Sequence, residues 1–93
     1  MDEQQIMERT RGYVQRAFLY ARPDVVLQNE DRLLERGIID SMGVLELLGF
    51  LQQEFGVRLG DEDITEDNLG SIKAIARCVC TREPRNGNGG TAP

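Results

Sequence analysis

The stretch that decides the fold reads Leu33-Leu34-Glu35-Arg36-Gly37-Ile38-Ile39-Asp40-Ser41-Met42-Gly43-Val44-Leu45-Glu46-Leu47-Leu48, and continues through Phe50-Leu51-Gln52-Gln53-Glu54-Phe55-Gly56-Val57. Asp40 or Ser41 can accept a free backbone amide and so open a helix, and Gly56 supplies its stop. At about 100° per residue, Val44, Leu47, Leu48, Leu51 and Phe55 fall within an arc of roughly 100°, wide enough to face a core. Met42, Leu45 and Gly49 form a second apolar strip that begins beside Ser41. A small bundle can hardly bury both strips to the same depth. Rimmed by Glu46, Gln52 and Gln53, the second strip reads as a docking surface unless a short third helix covers it. Phe50 lies in neither arc and is assigned to packing against that third helix.

Upstream, Ile6, Tyr13, Val14, Ala17, Phe18 and Ala21 recur at helical spacing, which predicts a first helix over Asp2–Ala21. Pro23 restricts Arg22 and ends it. The segment 24–40 has no sustained periodicity but carries Val25, Val26, Leu27, Leu33, Leu34, Ile38 and Ile39, which predicts a long, ordered loop pinned by apolar side chains. Gly37 permits a left-handed turn in it. Downstream, Val57 and Leu59 tie the chain back to the core. Thr65 caps a short helical turn through Leu69, and Ser71 caps a last helix in which Ile72, Ile75, Ala76 and Val79 keep the i, i+3, i+4, i+7 pattern. The expected fold is all-α, a small four-helix bundle of three main helices and one short one. Residues 1–83 form the domain. The Gly-, Asn- and Pro-rich residues 84–93 hold almost nothing apolar and are expected to be a disordered tail.

At 93 residues, 40% of them hydrophobic and few aromatic, the chain has room for one aliphatic core and none for a deep catalytic pocket. It contains no His, and so lacks the commonest general base and the commonest metal ligand. Self-contained catalysis is not expected. The net charge of −5 argues against nucleic acid, whose phosphates demand a basic surface. The acid is concentrated: Asp40, Glu46, Glu54, Asp61, Glu62, Asp63, Glu66 and Asp67 face Arg58 alone within residues 40–67. That asymmetry would steer a positively charged partner to the middle of the chain, or is simply a solvated face. Calcium binding at Asp61-Glu62-Asp63 fails on spacing, because the sixth and twelfth positions hold Glu66 and Ile72 where Gly and Glu are needed. Cys78 and Cys80 point about 200° apart on a helix and cannot pair. Reduced thiols, a cytoplasmic location, no membrane insertion and no metal are the expectations that follow.

Taken alone, Ser41 needs no role beyond capping. Yet a phosphodiester on its oxygen would sit at the positive end of the helix dipole, beside free amides. The surroundings favour the second reading. The long loop, Asp40-Ser41-Met42 at the helix start, the helix ending in Glu54-Phe55-Gly56, the Asp61-Glu62-Asp63 turn and the closing segment from Thr65 to Val79 together resemble the acyl carrier protein superfamily, over about Ile6 to Arg82. The resemblance implies that Ser41, preceded by Asp40, carries a covalent 4'-phosphopantetheine arm derived from coenzyme A. It implies that Met42, Leu45, Glu46 and Gly49 meet partner enzymes.

The expected partners are a phosphopantetheinyl transferase, an adenylating or other acyl-loading enzyme, and downstream synthase, tailoring or transfer enzymes. The carrier itself would be a non-catalytic monomer. The chain departs from fatty-acid carriers, which place an acid two residues after the serine where this chain has Gly43. Ile38-Ile39-Asp40-Ser41-Met42-Gly43 looks more like the D-alanyl carrier protein and the stand-alone carriers of nonribosomal peptide and polyketide pathways. Gly43 permits close approach of a partner, or is simply a glycine tolerated in a first turn. The rival reading is a helical protein–protein interaction module in which Ser41 only caps.

Overall fold

A computed structural model describes residues 1–82; the expected disorder of 84–93 lies outside the described residues. Four α-helices follow one another: α1 Glu3–Phe18, α2 Ser41–Phe55, α3 Glu66–Leu69 and α4 Ile72–Arg82, with a 3-10 turn at Asp61–Asp63. The described residues contain no strand. The all-helical bundle of three main helices and one short one is therefore the fold of this chain.

α1 opens on Asp2, whose carboxylate accepts the Gln5 N–H at 2.8 Å while the Gln5 side chain accepts the Asp2 N–H at 3.0 Å. This reciprocal cap satisfies two otherwise orphaned donors. Its buried face is Ile6, Met7, Thr10 and Val14. Sequence spacing recovered Ile6 and Val14 but passed over Met7 and Thr10. The helix stops at Phe18, three residues short of the expected Ala21, which is exposed. Leu19 is the residue just past its end. Continued at about 100° per residue, the helix would turn Leu19 almost opposite to Ile6 and Val14. By leaving helical geometry the chain swings it into the core, where it is 4% exposed. Turn bonds from the Arg22 N–H to the Leu19 oxygen (2.9 Å) and from the Val25 N–H to the Arg22 oxygen (3.1 Å) carry the chain past Pro23.

The loop from Leu19 to Asp40 is ordered, but fewer apolar residues anchor it than expected. Leu27, Leu33, Ile38 and Ile39 are buried, whereas Val26 and Leu34 are exposed. Leu33 is its hub. The Leu33 N–H donates to the Gly70 oxygen at 2.9 Å, and the Leu33 oxygen accepts from the Ile38 and Ile39 N–H groups at 2.9 and 3.2 Å. Gly37 makes the reversal between them possible with φ +71°, a left-handed value that a side chain would resist. Farther along, the Asn29 oxygen accepts the Lys73 N–H at 2.9 Å, so the loop is hydrogen-bonded to the first turn of α4.

The core is aliphatic, with Leu47 and Leu51 of α2 and Ile72, Ile75 and Val79 of α4 closed from solvent together with Ile6 and Val14. Val57 and Leu59 are buried behind α2, as expected. The Ser71 oxygen accepts the Ala74 N–H at 3.1 Å and the Thr65 oxygen accepts the Asn68 N–H at 3.2 Å, so both predicted caps are formed. Phe50 does not pack on α3. It stacks on Tyr13 of α1, centroids 4.1 Å apart and planes 7° from parallel, and meets Phe55 edge-on at 6.0 Å. An aromatic seam thus joins α1 to α2, reinforced by the Arg9–Glu54 ion pair at 2.9 Å. Among the described residues no helix is long and apolar enough to cross a membrane.

Candidate functional site

Asp40 and Ser41 divide two tasks at the start of α2. Asp40 is the cap: its Oδ1 accepts the Gly43 N–H at 2.8 Å and its carbonyl accepts the Val44 N–H at 3.1 Å. Ser41, read from sequence as an equally good cap, is instead the first helical residue. It is exposed, and its hydroxyl makes no hydrogen bond among the described residues. Capping therefore gives no account of it. The Ser41 and Met42 amides are likewise without partners among the described residues, as the first donors of a helix must be unless something supplies an acceptor. A free hydroxyl, two free amides and the positive end of a fifteen-residue helix converge on one exposed corner.

Beyond the first turn, α2 shows the two faces its spacing predicts. Val44, Leu47, Leu48, Leu51 and Phe55 are buried. Met42 is 70% and Leu45 54% exposed, and Glu46 and Gly49 are exposed beside them, so α3 does not cover the second strip. Glu46 lies close enough to Tyr13 to disfavour its ionised form, which burial opposes more strongly; both push the phenol above its ordinary value. Where α2 faces α3, Val44 borders a half-open groove of about 90 Å³ lined also by Leu34, Ile64, Leu69 and Gly70. That volume is well below the several hundred Å³ of a usual substrate pocket.

Two residues behave differently from their sequence reading. Gly43 is buried, so no partner can approach it. A Cβ there would lie 2.7 Å from Ile39 Cγ2 and 2.9 Å from Phe18 Cε1. Internal packing explains the glycine. Asp63, counted with the solvated acids, is 3% exposed. Its Oδ2 accepts the Gly60 N–H at 2.9 Å, its Oδ1 pairs with Arg82 at the end of α4, and its carbonyl accepts from the Thr65 N–H and from Asn68 Nδ2. The Gly60 bond first, and then Arg82, hold its carboxyl below the ordinary range. No periodicity could reveal this, because the partner sits nineteen positions away on another helix. Neither cysteine is in a disulfide among the described residues; Cys78 is buried, which raises its thiol pKa, and Cys80 is half-buried.

The described residues thus form a small helical bundle with an exposed, unengaged hydroxyl at the start of α2. The family model for the phosphopantetheine attachment site matches residues 16–79, more than half of the chain, and the chain belongs to this family, that of the acyl carrier protein superfamily. Its members carry a covalently attached 4'-phosphopantetheine, and such carrier domains generally act without catalysis of their own, interacting with a phosphopantetheinyl transferase and with partner enzymes. Comparison with curated proteins finds no match.

Proposed function

We propose that Ser41 is the attachment point and that the chain carries acyl or aminoacyl groups as thioesters in a secondary-metabolite pathway of nonribosomal peptide or polyketide type, or in a D-alanylation-type pathway. The observation that carries the reading is the exposed, unbonded Ser41 hydroxyl at the start of α2. In the attachment step the Ser41 oxygen would bond to the pantetheine-side phosphorus of coenzyme A as the pyrophosphate P–O bond breaks, adenosine 3',5'-bisphosphate would leave, and the hydroxyl proton would pass to the transferase. The free Ser41 and Met42 amides would be available to donate to the phosphodiester and offset its charge. Asp40 holds the first turn through Gly43 and leaves those two donors available. When attached, the arm supplies a thiol that holds the cargo.

Met42, Leu45, Glu46 and Gly49 form the docking surface for the transferase, for an adenylating or other acyl-loading enzyme, and for the synthase, tailoring or transfer enzymes that follow. A small apolar strip beside a carboxylate suits brief encounters, since exposed charge raises association rate more than affinity. The carrier acts as a cytoplasmic monomer and leaves the chemistry to these partners. Coexpression with a broad-specificity phosphopantetheinyl transferase, followed by intact mass measurement, tests the assignment. One phosphopantetheinyl group is expected on the wild-type chain and none on Ser41→Ala; an unchanged wild-type mass in the presence of active transferase overturns it.

A further inference from the structure

Of the two glycines within α2, Gly49 has open space around it, with nothing within 4 Å of a built Cβ. Gly43 is enclosed. Its absent side chain would meet Ile39 Cγ2 at 2.7 Å, Phe18 Cε1 at 2.9 Å and Asp40 Oδ1 at 3.3 Å, where carbon atoms settle at about 3.5–4.0 Å. Two of these neighbours immediately precede Ser41 in the chain. The third is the last residue of α1, brought there from twenty-three positions away.

None of the three yields easily. Ile39 is 2% exposed and its N–H is bonded to the Leu33 oxygen. Asp40 is engaged with the Gly43 N–H itself. The Phe18 ring stands edge-on to Tyr13, centroids 5.8 Å apart at 84°, and Tyr13 is in turn stacked on Phe50. The first turn of α2 is therefore wedged between the end of the loop and an aromatic edge of α1, with Gly43 as the notch that lets them close. Ser41 lies one peptide from Asp40 and two from Gly43, within the same helical turn, so a movement of the wedge displaces the backbone that carries it.

We propose that Phe18 and Gly43 are positioning residues for the modification of Ser41: the ring seats in the glycine notch and sets the direction in which the first turn presents the hydroxyl. This rests on Ser41 being the attachment point. Neither residue touches the transferred group. Their effect belongs in the chemical step, where a misplacement of about 1 Å can cost a hundredfold, and not in the encounter.

Initial rates of modification by a purified broad-specificity transferase, measured against carrier concentration, separate the two. Gly43→Ala is expected to lower kcat about tenfold or more with KM nearly unchanged, and Gly43→Ala/Phe18→Ala, which opens space for the methyl, to recover at least about threefold. The Ser41 and Met42 amide resonances should shift in Gly43→Ala and move back in the double variant. A folded Gly43→Ala modified at the wild-type kcat, or a double variant that recovers nothing, overturns the proposal. Should Gly43→Ala not fold, Phe18→Leu takes its place: a lowered kcat with an intact fold supports the wedge, and an unchanged kcat overturns it. A wild-type chain that is not modified at all overturns the assignment of Ser41 instead.

Discussion

Asp40 and Ser41 are adjacent, and their side-chain oxygens are used in opposite ways. The Asp40 carboxylate is committed to the Gly43 N–H at 2.8 Å, whereas the Ser41 hydroxyl is committed to nothing among the described residues. Removing the first oxygen should cost stability: Asp40→Ala is expected to lower the unfolding free energy by about 1 kcal/mol, and Asp40→Asn, which keeps an acceptor, by a few tenths, both read from urea denaturation midpoints. Removing the second should not. Ser41→Ala is expected to stay within about 0.5 kcal/mol of wild type, so a loss of modification there reports chemistry and not folding. From sequence, either residue could have been the cap, because both carry an acceptor at a helix start. Only the backbone decides, and the extended conformation of Asp40 (φ −100°, ψ −176°) places it just outside the helix. Gly43 was harder still, since its reason lies in a ring contributed by another helix.

Among the elements, α2 was the most legible and α1 the least. α2 has a clear apolar arc, a carboxylate at its start and Gly56 at its end with φ +68°, so every local signal agrees with its final place. α1 ends three residues early, and Leu19 just past its end is buried, a tertiary placement that helical spacing cannot show. The short elements after α2 depend on Asp63, which gathers the Gly60 amide, Arg82 and, through its carbonyl, Thr65 and Asn68. Its carboxyl titrates below the ordinary value of 3.8 in the folded chain. A depressed acid contributes stability above its unfolded value and loses it as pH falls through its folded one. The wild-type melting temperature should therefore drop as the solution is taken from above pH 3.8 down through the lowered folded value. Asp63→Asn should melt lower at neutral pH and show a shallower acid decline. Parallel acid limbs for the two proteins would remove Asp63 from this role. Gly49→Ala offers a contrast within α2: with no neighbour in the way, it should raise helix stability by about 0.5–1 kcal/mol, measured by thermal unfolding.

Across the whole molecule, the proposed function gives the arrangement of charge and exposed apolar surface a testable meaning. Asp40, Glu46 and Glu54 lie on or beside α2, Asp61 and Glu62 on the 3-10 turn that follows and Glu66 and Asp67 on α3, all exposed, while Arg16 of α1 and Arg77 of α4 are exposed without an ion pair among the described residues. With a net charge of −5, such a molecule would turn its α2 side toward a basic partner before contact. On the proposed reading, Met42 and Leu45 would then supply the apolar contact that holds the complex long enough to react. The two contributions separate by salt. For modification by a basic transferase, kcat/KM should fall several-fold, about tenfold at most, as sodium chloride rises from low to physiological strength and beyond, because steering is screened within roughly 10 Å at 0.1 M. Glu46→Gln should lower the low-salt rate and flatten that dependence. Leu45→Ala should instead raise KM at every salt concentration while leaving the slope unchanged and the melting temperature nearly so, since its side chain is more than half exposed. A salt slope that survives Glu46→Gln undiminished would place the steering charge elsewhere on the acidic segment. A Leu45→Ala variant with wild-type KM would show that the exposed strip of α2 is not where the transferase binds.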